Sequence, residues 1–252
     1  MTTELKGCGW VPERAIRRVA GRVGTIASRV GTLLSPERGG IDRDPWILDQ
    51  RSTEACTGHN GAEFIYGLNG EQCSPWIPWT FGRLYDGATP LTLQNVGVRT
   101  SSMLAAFRKH GSCKWEDWRP GVSGFSYHEL PPALLRAEAQ KFNIDAVPLY
   151  ASGQALVALI VDALSRKLPC GLVVRVDKRF DAAKSDPVGP EDGGEIRGRH
   201  IITPWSFYRS GGSYVIECIN SWGTDHGDSG IVRLSAERVG QAPYASVARG
   251  VS

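Results

Sequence analysis

Asn220-Ser221-Trp222-Gly223-Thr224-Asp225-His226-Gly227-Asp228-Ser229-Gly230-Ile231-Val232-Arg233-Leu234 is the stretch from which the rest of the chain can be read. Apolar, β-branched runs at 214–219 and 230–234 flank a glycine-rich segment, the pattern of two strands joined by a turn. Asp225 and Asp228 suit that turn better than a calcium loop, and His226 reads as a solvated loop residue. Twenty residues upstream, His200 opens the run His200-Ile201-Ile202, a further strand over 200–203. A histidine that opens one strand and an asparagine that directly follows a later one form a pairing with chemical meaning. A thiol nucleophile needs an imidazole to hold its proton, and the imidazole needs a partner that sets its tautomer and orientation.

A candidate thiol stands in Asp49-Gln50-Arg51-Ser52-Thr53-Glu54-Ala55-Cys56-Thr57-Gly58-His59. Cys56 falls at a predicted helix start, where the helix dipole and unpaired N–H groups favour thiolate over thiol. That helix is expected over 56–67, weakened by Gly58 and Gly61 at about 1 kcal/mol each. His59, one turn on, is a rival base, although a helix neighbour points along its own face.

Taken together these residues resemble the papain-like (papain/cathepsin) cysteine peptidases, bacterial members included, over roughly residues 41–235. In that family a glutamine precedes the active-site cysteine by six positions, as Gln50 precedes Cys56. Its asparagine lies in Asn-Ser-Trp-Gly followed by further glycines and a strand, as Asn220 does. Its histidine follows the cysteine by about 130–150 residues, and His200 lies 144 past Cys56. Gly97-Val98-Arg99, a helix ending at His110-Gly111 and the strand 171–176 are similar to bacterial members. Gly9-Trp10-Val11-Pro12 resembles an N-terminal element of such members, which implies that the arm belongs to the mature protein.

The resemblance implies an α+β, two-lobed fold, with a helical first lobe, an antiparallel β-barrel-like second lobe and the active site in the cleft between them. It implies a cysteine endopeptidase with a Cys56-His200-Asn220 triad, a thioester acyl-enzyme, and an oxyanion held by the Gln50 side chain and the Cys56 N–H. Trp222 would shield the His200–Asn220 hydrogen bond, and Gly97, Ile201 and Trp222 would meet the substrate, a protein or peptide. No cofactor and no metal are implied. The sequence departs from the family at Arg51, where glycine usually follows the glutamine, at Thr57, where an aromatic residue is common, and at Thr53, which removes the usual nearby disulfide. Ile201, bulkier than the usual small residue, is expected to narrow substrate acceptance, and Pro204 to interrupt its strand. Arg51 and Thr57 motivate an alternative, a catalytically inactive peptide-binding domain. An acyltransferase using the same thiol is another.

Outward from these motifs the chain is less specific. Residues 1–40 form a basic arm and linker ahead of a domain over 41–252. That arm holds seven of the 29 Lys/Arg but three of the 26 Asp/Glu, which leaves 22 basic against 23 acidic residues elsewhere. A near-neutral body lacks the concentrated basic face that nucleic-acid binding needs. Apolar residues at helical spacing over 13–34 read as a surface helix or arm, with a membrane-surface anchor or an Arg-rich transit peptide as other readings. Residues 35–40 read as a turn or linker. Trp76, Trp79, Phe81 and Tyr85 read as an irregular wall. Ser101 or Ser102 is expected to cap a helix ending at Gly111, with His110 at its C-terminus. Further helices are expected over 132–142 and around Leu156, Ile160 and Leu164, a strand over 172–176, and a long loop over 178–198.

The six cysteines (Cys8, Cys56, Cys73, Cys113, Cys170, Cys218) form no CxxC pair, so no dense disulfide framework is expected, although Cys73 and Cys113 could pair. Cys170 and Cys218 read as core residues and His128 as a solvated loop residue. Cys56 and His59 lack two further zinc ligands at recognisable spacing. With 41% hydrophobic and 22% charged residues the composition excludes disorder. No apolar run long enough to span a bilayer and no export-signal pattern stand out. A cytoplasmic monomer is expected, with export by a non-standard route left open.

Overall fold

The structure, a computed structural model, describes residues 36–252. The helix expected over 13–34, Cys8 and the Gly9–Trp10 element lie outside the described residues. The first described element is a strand, β1 (Arg38–Gly40), within the segment read as linker. Its glycines serve close approach. A Cβ on Gly40 would come within 2.6 Å of the Trp205 carbonyl oxygen, and one on Gly39 within 2.8 Å of the Phe207 ring.

Three helices build the first lobe: α1 (Cys56–Asn69), α2 (Trp76–Tyr85) and α3 (Thr100–His110). The glycines of α1 weaken it as an isolated helix but let it pack. A Cβ on Gly58 would lie 2.5 Å from the Pro75 carbonyl oxygen, and one on Gly61 2.5 Å from Met103 Sδ. The wall expected around Trp76 and Trp79 is helical instead. Pro78 falls in the first turn of α2, where a missing N–H breaks no intrahelical bond. The N-terminus of α3 is served by Asp86 rather than by a serine cap. The Asp86 carboxylate accepts from the Arg99 N–H at 2.8 Å and the Ser102 hydroxyl at 2.6 Å. Phe64, Ile65, Trp76, Trp79, Met103 and Phe107 share one core, and burying each such side chain is worth about 1.5–3 kcal/mol.

A short helix, α4 (Ala133–Glu138), covers part of the expected 132–142 helix. It stops because Gln140 turns away to exchange two 2.8 Å backbone hydrogen bonds with Ser112.

The second lobe contains β2 (Asp145–Pro148), α5 (Gly153–Ser165), β3 (Cys170–Val176), α6 (Lys178–Asp181), β4 (Gly198–Ser210), β5 (Ser213–Ile219), β6 (Ile231–Ser235), α7 (Ala236–Gly240) and β7 (Tyr244–Gly250). Its strands form an open antiparallel sheet in the order β2-β7-β3-β4-β5-β6, with β1 also on β4. Strand β4 does not end at Pro204. A register shift between Pro204 and Ser206 absorbs the missing donor, as a bulge does. The loop expected over 178–198 begins with α6, capped by the Asp177 carboxylate, which accepts from the Phe180 N–H at 2.9 Å. Leu156, Ile160 and Leu164 of α5 pack on Leu172, Val174 and Ile202 in a second core.

The lobes therefore have separate cores, and α1 lies against β4 where they meet. Asn60 Nδ2 donates to Thr203 Oγ1 at 2.6 Å, and Thr203 donates in turn to Glu63. Among the described residues no helix is long and apolar enough to cross a membrane.

Candidate active site

Residues 48–50 run beside 221–223 and bring two distant parts of the chain together. The Gln50 N–H donates to the Ser221 carbonyl at 2.8 Å, the Gly223 N–H to the Leu48 carbonyl at 3.1 Å, and Asp49 faces Trp222. The Gln50 side chain is buried and oriented. Its Oε1 accepts from the Ser221 hydroxyl at 2.6 Å, which makes Nε2 the donor end, and Nε2 reaches the Thr53 carbonyl at 2.5 Å. Arg51 follows in the left-handed region at φ 55°, its N–H held by Asp49 Oδ1 at 2.7 Å. That conformation explains why the position suits glycine.

Cys56 is the first residue of α1 and is buried. It packs with Val173 of β3 and Ile201 of β4, so its neighbour Ile201 is the residue that follows His200. The cysteines among the described residues are all thiols, Cys73 and Cys113 included. Asn95, two residues before Gly97, is tied to the segment that leads into Cys56. Asn95 accepts from the Glu54 N–H at 2.7 Å and donates to the Ser52 carbonyl at 3.0 Å.

His200 sits on β4 opposite Val174, and Asn220 directly follows β5. The His200 Nε2 and Asn220 Oδ1 atoms are 2.8 Å apart in a buried hydrogen bond, while His200 Nδ1 has no hydrogen-bond partner. Trp222 covers this pair, its ring centroid 4.7 Å from that of His200 at an interplanar angle of 31°. Burial lowers the His200 pKa to about 3. The Asn220 bond opposes that shift, while the charges of His226, His59 and Arg197 reinforce it. The ring is therefore neutral near pH 7.

His226 corrects the sequence reading. It is half-buried, with Nδ1 2.7 Å from Asn220 Nδ2 and Nε2 3.0 Å from the Phe180 carbonyl oxygen. The turn folds inward because the Gly230 N–H returns to the His226 carbonyl at 3.0 Å. His128, expected to be a solvated loop residue, is exposed, with Nδ1 3.1 Å from the Leu93 carbonyl oxygen. His110 is stacked on Phe81 and bonded to the Tyr85 hydroxyl at 2.8 Å. The rival base His59 is buried, donates from Nδ1 to the Ala55 carbonyl at 2.9 Å, and lies T-shaped against Trp76. Among the described residues no group of three or more His, Cys, Asp or Glu could hold a metal ion.

The structure thus joins Gln50 to Ser221, Cys56 to Ile201, and His200 to Asn220 and Trp222. Sequence reasoning missed Ser221 as the anchor of Gln50, His226 as a partner of Asn220, and the Asn60–Thr203–Glu63 group. Ser221 and His226 both stood inside the decisive motif, where a hydroxyl and an imidazole beside a carboxamide were the available signal.

No protein-family profile matches the sequence, and no curated protein matches it significantly. Solved structures do. Xylellain, a cysteine protease from Xylella fastidiosa, is similar with a TM-score of 0.74 at 17% identity over 98% of this chain and 97% of that one. Digestive procathepsin L 3 of Tenebrio molitor gives 0.67 at 12% identity over 87% and 71%. The bromelain protease of Ananas comosus, in complex with the E64 inhibitor, gives 0.60 at 13% identity over 84% and 97%. With two lobes meeting at α1 and β4 and this likeness along nearly the whole chain, the protein has the fold of the papain-like cysteine proteases.

Proposed function

We propose that the protein is a cysteine peptidase, and the observation that carries this reading is the buried His200–Asn220 hydrogen bond, which leaves His200 Nδ1 as the proton-accepting nitrogen. Cys56, at the N-terminus of α1, is the nucleophile. His200 takes the thiol proton as sulfur attacks a peptide carbonyl, and the oxyanion that forms is held by Gln50 Nε2 and the Cys56 N–H. The proton then passes to the leaving amine, and water activated by the same imidazole hydrolyses the thioester. Asn220 holds the ring, and Trp222 keeps water from that hydrogen bond. The substrate is a protein or peptide, with Gly97 and Ile201 beside it.

Alkylation of the full chain by a vinyl sulfone, mapped by mass spectrometry, tests this reading together with cleavage of an unfolded protein substrate. An adduct on Cys56, and cleavage lost in Cys56→Ala, are expected. No Cys56 adduct, while a known papain-like enzyme reacts under the same conditions, would sink it. A second reading, an inactive domain that binds peptide segments, is favoured by the complete burial of Cys56. Peptide binding without cleavage would support that reading instead.

A further inference from the structure

Asn220 does not orient His200 alone. A carbonyl oxygen can only accept, so the 3.0 Å contact with the Phe180 carbonyl places a hydrogen on His226 Nε2. In the neutral ring Nδ1 then carries none and must accept, so Asn220 donates to it from Nδ2 at 2.7 Å. This settles which end of the Asn220 amide faces His200. Oδ1 does, at 2.8 Å, so His200 carries its hydrogen on Nε2 and leaves Nδ1 bare. One backbone carbonyl thus determines, through three side chains, which nitrogen of His200 can take a proton.

We propose that His226 is a positioning residue for the proposed reaction, holding the Asn220 amide in the one orientation that leaves His200 Nδ1 as a base. The inference rests on the peptidase reading for its kinetic consequence, but not for its geometry. His226 is held in an aromatic setting, 4.7 Å from Trp222 at 76° and 5.6 Å from Phe180, between centroids. Burial lowers its pKa, the Phe180 carbonyl and the charge of Asp181 oppose this, and Lys184 reinforces it, so the ring is neutral at pH 7. The charged groups around it are Asp181 and Lys184, Arg197, which pairs with Asp181 at 2.8 Å, His200 on β4, and Asp225 and Asp228 in its own turn.

Protonation of His226 puts a hydrogen on Nδ1, which then repels Asn220 Nδ2. The amide must turn, Nδ2 faces His200 Nε2, and the His200 hydrogen moves to Nδ1. The base is lost although His200 stays neutral and Cys56 is untouched. Acid inactivation therefore reports His226 as well as His200.

The test uses the full chain with His226→Phe, which keeps a ring against Trp222 and Phe180 but removes both nitrogens, and His226→Asn, which returns an acceptor near the Nδ1 position. Two readouts are taken: the pH profile of Cys56 alkylation by a vinyl sulfone, and the ring 15N shifts of His226 and His200. His226→Phe is expected to alkylate about 10-fold more slowly at pH 7, His226→Asn to recover most of that loss, and wild-type spectra to show Nε2–H on both rings. Wild-type rate and profile in His226→Phe, equal losses in both variants, or an Nδ1–H tautomer of His226 would each overturn the proposal. Should wild-type protein fail to alkylate, the peptidase reading falls, while the 15N spectra still decide the role of His226.

Discussion

Thr203 donates its hydroxyl hydrogen to Glu63, and in doing so ties the strand that carries His200 to the helix that carries Cys56. Both residues are buried, and Asn60 Nδ2 completes the link at 2.6 Å. The lobes thus meet through three polar side chains one to two helical turns from Cys56. Burial raises the Glu63 pKa to about 8, against an opposing effect of the Thr203 bond, so Glu63 is largely protonated at pH 7.

A raised carboxyl pKa has a definite sign for stability. Between pH 4.5 and about 8 the folded chain keeps a proton that the unfolded chain releases, so its stability contribution falls as pH rises through that window. Urea unfolding should show a loss of up to a few kcal/mol from this group, absent in Glu63→Gln. An equal loss from pH 6.5 to 8 in wild type and Glu63→Gln would contradict the assignment.

His59 acts from the opposite side. Burial lowers its pKa from 6.5 to about 4, partly offset by the Ala55 carbonyl and by Asp49. Below pH 6.5 the unfolded chain takes up a proton that the folded chain refuses, so stability falls as pH drops toward 4. His59→Phe keeps a ring against Trp76 and should gain on wild type by about 1 kcal/mol or more across that window. Parallel stability curves for the two proteins would refute this.

The Gln50 amide has its oxygen held by Ser221 at 2.6 Å. Gln50→Ala should lower kcat of the proposed reaction by about 100-fold, the scale of losing one oxyanion donor. Ser221→Ala should lower it less, by about 10-fold, because it loosens the donor without removing it. Comparison of kcat and KM checks this, and a Ser221→Ala effect confined to KM would exclude the anchoring role.

Arg51 occupies left-handed backbone at φ 55°, where a side chain costs about 1–2 kcal/mol. Arg51→Gly should therefore raise the unfolding free energy by about 1 kcal/mol, less the extra chain entropy that glycine brings. Calorimetry showing a marked loss of stability would mean that the guanidinium makes contacts worth more than the strain.

Local pattern made some features legible. Alternating and β-branched runs marked β3, β5 and β6, and helical spacing marked α5, because those signals depend on each segment burying one face. Elements whose form depends on distant partners were not legible in the same way. The tryptophan-rich α2 was hidden by Pro78, harmless only because it lies in the first turn. Glycines 39 and 40 read as a linker, yet pair with β4 because they lack side chains where the sheet crowds them. Pro204 read as a stop, but a bulge carries β4 past it.

The sequence by itself determined which residues were candidates: the Asn220-Ser221-Trp222-Gly223 stretch, His200, Cys56 and Gln50 stand in an order and spacing that few other arrangements share. Tertiary structure alone decided how those side chains are oriented. His226 moved from a solvated loop to the Asn220 amide, Ser221 became the anchor of Gln50, and Glu63 became a buried acid between the lobes. The reason is physical. Residue type and spacing state which groups a chain owns, whereas hydrogen-bond direction, tautomer and pKa depend on the neighbours that folding brings within about 3 Å.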